Sequence, residues 1–332
     1  MKMKRIMYFA TASALAAAML SGCSAASGTS SAESTSAAAE STAAESTAAS
    51  TETAVDYSNV TVQDILDANN VADLVAKYGS VTMYSESSDG DSAGANSTFY
   101  FHTNDAGELQ MLGCISQADG SEQDINIAAT STDTGSGIYY YDESGASMQV
   151  VEPESLTTAI SNYYVSIDTA QTLVDASLQD DALVVYTKDS YGDENNYAEN
   201  YYYCDPDTLE LYSISYVYHY DFSDGSSSDI SDAMKGETDI FYSFLYGENE
   251  DAASLKDASE ECLTDENPCV LTVVVKPGSD DSAEYTFNLK KGVTINAVGQ
   301  DSIYNLYYDE ACTQSVDTVN TNADAVTIYA AE

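Results

Sequence analysis

Two histidines, six cysteines, a few paired acids and 27 tyrosines are the residues of this 332-residue chain that could carry chemistry. Their spacing speaks against most of it. His102 and His219 each stand in a strand-like run near a hairpin end, and the chain has no G-x-S-x-G, H-E-x-x-H or glycine-rich phosphate loop. A lone imidazole with a hydroxyl somewhere is no triad, so both read as solvent-face residues and no catalytic residue is assigned. Among Cys23, Cys114, Cys204, Cys262, Cys269 and Cys312 there is no C-x-x-C, and neither histidine is near one of them, so no zinc site is expected. Cys262 and Cys269, flanking Pro268, could close a small loop. Cys114 and Cys204 lie in apolar or aromatic runs, where cysteine usually serves as a small buried residue. Asp89/Asp91, Asp193/Glu194 and Asp280/Asp281 could hold Ca2+ with backbone carbonyls. None completes an EF-hand loop, and solvated turn acids are the simpler reading. No cofactor is implied.

One pattern remains. In "LELYSISYVYHYDF" a period of two places Tyr212, Ile214, Tyr216, Tyr218, Tyr220 and Phe222 on one face, opposite Ser213, Ser215 and His219. This stripe is the candidate ligand-binding surface, with one side covered and the other mostly wet. The absence of Trp weakens a sugar-stacking site, and strand tyrosines serve packing first.

The elements that must position the stripe follow from periodicity. "TVQDILDANNVADLVAKYGS" opens with Thr61 and Asp64 in capping-box spacing; Val71, Leu74, Val75 and Tyr78 then recur on one helix face, and Gly79 can end the helix. The period then changes to two through "VTMYSES", "STFYFHT", "ELQMLGCIS", "QDINIAA", "GIYYYDE" and "SMQVVE", separated by turn clusters such as "SDGD" and "DESG". This predicts an antiparallel meander. "PESLTTAISNYYVS" and "DTAQTLVDASL" read as two short helices, the first opened by Pro153. Strands resume with "ALVVYTK", "NYAENYYYC" and the tyrosine stripe, and "GETDIFYSFLYGE" predicts a closing strand. "NEDAASLKDASEEC" reads as a helix or linker, and five short strands follow.

The front end has a different logic. Lys2, Lys4 and Arg5 precede an uncharged run from Ile6 to Leu20, the layout of a signal peptide. Fifteen helical residues rise about 22 Å, short of the roughly 30 Å hydrocarbon core, so a retained transmembrane helix is not expected. Leu20-Ser21-Gly22-Cys23 resembles the lipobox of bacterial lipoproteins. That resemblance implies removal of residues 1–22, acylation (palmitate among the chains) at Cys23 and anchoring to the outer face of the cell membrane. Ser24 to Thr53 contains no aromatic or branched aliphatic residue, so residues 23–54 are expected to form a disordered Ser/Thr/Ala/Glu tether. Loss of residues 1–22 removes Lys2, Lys4 and Arg5 and no acid, leaving seven lysines against 55 acids, formally −48. Such a surface repels nucleic acid and anionic headgroups.

"CDPDTLELYSISYVYHYDFSDGS", Cys204 to Ser226, resembles the paired strands of the LolA/LppX-like lipoprotein superfamily, where an Asp-Pro-x-Thr turn feeds a long strand ending in an Asp-Gly turn. The resemblance implies an α+β fold over residues 55–260: a strongly curved antiparallel sheet, or half-open barrel, with helices on the concave side. It also implies a site for lipid-like ligands there. "LYYDEACTQSVDTVNTNADAVTIYA" is similar to the end of the Listeria–Bacteroides repeat, which implies a small all-β or β-grasp-like domain over residues 261–332. Two readings stand. One is a non-catalytic, lipid-anchored surface structural or interaction module with a surface protein partner. The other is a carrier of a lipid-like or other apolar ligand. A cavity of several hundred Å3 behind the tyrosine stripe would favour the carrier, and a filled core the module.

Overall fold

The computed structural model describes residues 57, 59–89, 92–117, 125–142, 144–191, 196–221, 235–263, 265–299 and 303–331. Cys23, the signal and tether segments, Asp91, Asp193, Glu194 and Phe222 lie outside them.

The expected first helix is two. Helix α1 (Val62–Ala68) carries the capping box: Asp64 N–H donates to Thr61 Oγ1 at 3.2 Å, and Thr61 N–H donates back to the Asp64 carboxylate at 2.8 Å. Asn69 ends it, and Asn70 caps α2 (Val71–Tyr78) by accepting from the Ala72 and Asp73 amides. Gly79, at φ 84°, stops α2 in a conformation that favours glycine.

Strands β1 (Ser80–Asp89), β2 (Ser92–Thr103), β3 (Leu109–Gln117), β4 (Ile125–Thr132), β5 (Gly135–Asp142) and β6 (Gly145–Val151) form the expected meander. Helix α3 (Pro153–Ser161) follows, with Pro153 in its first turn. A second meander comprises β7 (Thr172–Gln179), β8 (Ala182–Ser190), β9 (Tyr197–Cys204), β10 (Leu211–Asp221) and β11 (Lys235–Tyr246). Here one expectation fails: "DTAQTLVDASL" is the edge strand β7, not a helix. Hydrogen bonding to β8 overrides its weak helical pattern, and Asp180, at φ 53°, turns the chain between them.

β11 pairs antiparallel with β1 from Val81↔Tyr246 to Asp89↔Thr238, joining both meanders into one sheet. Helix α4 (Glu250–Leu263) leads to β12 (Cys269–Val275), β13 (Ala283–Leu289), β14 (Thr294–Val298), β15 (Asn305–Tyr307), β16 (Ser315–Val316), β17 (Val319–Asn320) and β18 (Ala325–Ala331). These strands divide between sheets. β14 runs parallel to β6 and β17 pairs with β14, giving a thirteen-stranded sheet in the order β17-β14-β6-β5-β4-β3-β2-β1-β11-β10-β9-β8-β7. The rest form a five-stranded sheet, β13-β12-β18-β15-β16, with β12 and β18 parallel. Among the described residues the protein is mostly β, with large curved sheets and no closed barrel.

Two cores result. On the inner face, Val81, Phe101, Met111, Ile127, Ile214 and Tyr202 pack against Ile65, Leu74, Val75, Leu156 and Ile160 of α1–α3. On the outer face of β2–β6, Tyr100, Leu112, Tyr139 and Met148 meet Leu255 of α4 and Leu271, Val273 and Phe287 of the smaller sheet. Thr134 seals that contact, donating from Oγ1 to Thr286 O at 2.5 Å while its own carbonyl accepts the Thr286 amide.

Candidate functional site

The tyrosine stripe begins one residue out of phase. Leu211 pairs with Cys204 and Ser213 with Tyr203, a bulge that leaves Tyr212 without a partner residue. Leu211 therefore takes the inner position expected of Tyr212. Tyr212 is 46% exposed, and its hydroxyl donates to Asp205 Oδ2 at 2.9 Å. From Ser213 onward the alternation holds. Ile214 and Tyr216 are buried on the inner face, and Tyr218 and Tyr220 continue it half-buried toward the strand end.

Tyr216 is the centre of an aromatic group that one strand could not reveal. Its ring lies 6.1 Å from Tyr202 of β9, 5.8 Å from Tyr242 of β11 and 6.2 Å from Tyr218, with Tyr191 6.3 Å beyond Tyr218. Burial pushes the Tyr216 phenol well above its usual range, and its hydroxyl reaches Ser166 O at 3.4 Å. Tyr202 donates to Gln171 Oε1 at 2.8 Å, and burial raises its phenol to about 12. Gln171 Oε1 also accepts from Thr187 Oγ1, which in turn accepts from Asn200 Nδ2. The segment between α3 and β7 thus lies across the stripe. It brings Tyr163, whose hydroxyl meets that of Tyr140 at 2.7 Å, and Tyr164, packed edge-on to Phe101. The Tyr164 hydroxyl is buried with no hydrogen-bond partner among the described residues, and burial pushes this phenol up as well.

The start of the stripe is clamped to the helices through residues that no motif marked. Asn69 is buried; its Nδ2 donates to Ile65 O at 2.8 Å and Leu209 O at 2.9 Å, while its Oδ1 accepts the Leu211 amide at 2.9 Å. Beside it, Glu210 accepts from Lys77 Nζ and from the Tyr78 hydroxyl, each at 2.6 Å. Partial burial works to raise this carboxyl, but the two donors outweigh it and hold Glu210 below the usual carboxylate range. The Asp-Pro turn feeding the strand is held by Asp205, whose Oδ1 accepts the Asp207 and Thr208 amides.

The other candidates take structural places. His102 is not a simple solvent-face residue: it stacks on Tyr100 at 5.0 Å, its Nδ1 sits 3.1 Å from Thr103 O, and burial lowers its pKa. His219 is half-buried between Glu199 at 3.5 Å and Glu237 at 3.1 Å, stacked on Tyr197. Cys204 and Cys269 are buried thiols, and burial raises Cys204 to about 12. Since Cys269 is free, the loop anticipated between Cys262 and Cys269 is not closed by a disulfide. Asp280 and Asp281 are exposed turn residues, and among the described residues no three His, Cys, Asp or Glu side chains gather as metal ligands. A cavity of about 360 Å3 lies away from the stripe, between α2, α3 and the β2–β3 and β4–β5 turns, lined by Glu108, Leu109, Ser131, Ser136 and Leu156 among others. No helix among the described residues is long and apolar enough to cross a membrane.

No protein-family model matches the chain, and no curated protein matches it. Among solved structures it is similar to a LolA superfamily protein of Nitrosomonas europaea, at 13% identity and TM-score 0.23, over 60% of this chain and 99% of that one. It is also similar to a chain of the MucA/MucB complex of Pseudomonas aeruginosa, at 10% and 0.28, over 67% and 74%. A third is the S-type phycobiliprotein lyase of Guillardia theta, at 7% and 0.20, over 56% and 98%. Likenesses this faint carry no functional information, and function rests on the geometry of the chain itself.

Proposed function

We propose that this protein is an extracytoplasmic lipoprotein, anchored through acylated Cys23, whose folded part is a non-catalytic interaction module. In this reading residues 55–260 are a half-open barrel plugged on its concave side by α1–α3, and residues 261–332 a β-grasp-like addition. The signal layout and the lipobox-like Leu20–Cys23 support the anchor. Replacement C23A is expected to shift the protein from the membrane fraction to the medium, or to leave it unprocessed; unchanged membrane fractionation would end the anchor reading.

The observation that carries the module reading is the filling of the inner face. Ile214, Tyr216 and Tyr202 are buried in one core with Tyr164 and the apolar faces of the helices, and Gln171 is hydrogen-bonded to Tyr202. Both histidines are engaged with neighbours, His102 stacked on Tyr100 and His219 held between Glu199 and Glu237. Native mass spectrometry of the mature protein should show the mass of the polypeptide with its covalent acyl chains alone, without further retained lipid.

One observation favours the carrier alternative. The inner face is less tightly closed toward the strand ends, where Tyr218 and Tyr242 are half-buried, and the Tyr164 hydroxyl has no hydrogen-bond partner among the described residues. A ligand with an apolar body and a hydrogen-bonding head would suit those groups. A lipid retained in the native spectrum would establish that reading and displace the module.

A further inference from the structure

The two halves of the large sheet treat their outer faces differently. Over β2–β6 that face is sealed by α4 and the smaller sheet. The cover reaches β1 through the first turn of α4, where Tyr84 donates to Asp251 at 2.6 Å. Over β8–β11 neither α4 nor the smaller sheet forms such a core, since none of the residues of these strands belongs to it. Phe241 and Leu245 of β11 are 42% and 49% exposed.

Register shows what this bare face presents. One row across the strands reads Glu86, Phe241, Ser215, Tyr201, Tyr186, Asp175, and the next Tyr84, Ser243, Ser213, Tyr203, Val184. The small side chains Ser213, Ser215 and Ser243 leave a trough along β10. It is bounded by Phe241 on one side and by the Tyr201–Tyr186 stack, 4.8 Å apart and 9° from parallel, on the other. Two strand spacings make it about 10 Å wide, the width of one extended chain with its side chains. A third row supplies charge, with Asp239 and Glu199 on either side of Val217 and Lys188 beyond Glu199. Lys188 lies across the Tyr197 ring, Nζ 3.5 Å from its centroid, so an ammonium already rests on an aromatic ring at this face.

We infer that this trough docks an extended, lysine- or arginine-rich segment of another protein. The inference rests on the interaction-module reading and names its partner chemistry. Cations match the carboxylates of Glu86, Asp239 and Asp175 along the rim and can sit on the tyrosine rings, while alternate apolar side chains meet Phe241 and Leu245. A second copy of this chain is a poor occupant, because each copy carries a formal charge of −45. The central strands have their backbone groups paired, so recognition runs through side chains.

The test uses the purified mature protein and a fluorescent peptide of alternating Lys and Val, with a Glu/Val peptide as control, read by anisotropy. The Lys/Val peptide should bind at least ~tenfold more tightly than the control, a difference of about 1.4 kcal/mol. Replacing Phe241 and Tyr201 together by Ser should weaken it ~tenfold with the circular dichroism spectrum unchanged. The pair E86Q and D239N, which changes no packing, should weaken it and flatten its salt dependence, and serves alone if the aromatic pair fails to fold. The proposal is overturned if the wild type does not prefer the cationic peptide. It is equally overturned if the folded face variants bind as the wild type does, since general attraction to an acidic surface would then suffice, or if they instead lose affinity for a neutral chitin oligosaccharide. None of these results touches the module reading, which a lipid retained in the native mass spectrum would sink instead.

Discussion

Glu210 shows how a residue outside any motif ties the stripe to the helices. Its two donors, Lys77 and Tyr78, both belong to α2, so the ion pair joins α2 to the residue before β10. The sign of its pH dependence follows from its lowered folded pKa. The stabilisation is fully present above the unfolded value, about 4.3, and is lost as pH falls through the folded one. Lys77, raised chiefly by its bond to Glu210, contributes below its unfolded value of about 10.4 and loses that contribution only at still higher pH. Denaturant unfolding of wild type against E210Q should therefore show a gap between about pH 4.3 and 10.4 that narrows at lower pH. A gap independent of pH would mean that the carboxylate charge contributes nothing. Asn69 acts by another route: its three bonds require a side chain that donates and accepts at once, which its place at a helix end did not reveal.

At the scale of elements, two local choices set what β3 and β10 present. The bulge at Tyr212 keeps the tyrosine out and admits Leu211, so a stripe of six becomes an inner face led by Leu211, Ile214 and Tyr216. In β3, Gly113 lies opposite Phe99, and a β-carbon there would collide with the Phe99 ring, which packs on Tyr163 at 5.7 Å. The ring is held on one side by Tyr163 and cannot move aside freely. G113A is thus expected to cost about 1–3 kcal/mol through overpacking. Thermal melting should fall by a few degrees, and an unchanged melt would mean that the ring has room to turn. The edge strand β7 shows the converse, local preference losing to pairing. Its sequence reads as a short helix, but hydrogen bonding to β8 overrides that reading and leaves Val174 and Leu178 exposed.

For the whole molecule, the decisive contact is parallel pairing between β14 and β6, from Thr294↔Ser147 to Val298↔Val150. It is reinforced where Gln149 Nε2 donates to Gly299 O at 2.9 Å and the Gly299 amide donates to Val150 O at 2.8 Å. The C-terminal strands therefore complete the outer core of β2–β6. Calorimetric unfolding should show one transition, with equal calorimetric and van't Hoff enthalpies. A chain ending at residue 260 would expose Tyr100, Leu112 and Met148 and should aggregate. Two separate transitions, or a soluble and folded 55–260 fragment, would show that the segments fold independently.

Local chemistry made several features legible in the sequence. The capping box at Thr61 and Asp64, the Pro153 start of α3, the meander strands and the closing strand β11 rest on neighbours in sequence, and the structure has them where periodicity placed them. Composition likewise set the acidity, and the resemblance of Leu20–Cys23 to a lipobox gave the grounds for expecting an anchor there. What only the tertiary structure decided are contacts across long separations: the pairing of β11 with β1, the entry of β14 and β17 into the large sheet, the Asn69 clamp and the aromatic group around Tyr216. A period of two says that a strand has two faces, but which neighbour fills each depends on strand order. Strand order is settled by burial and pairing summed over the whole chain, so the period of β10 announced a covered face and a wet one, but no segment read alone could show that Tyr202 and Tyr242 close the covered face.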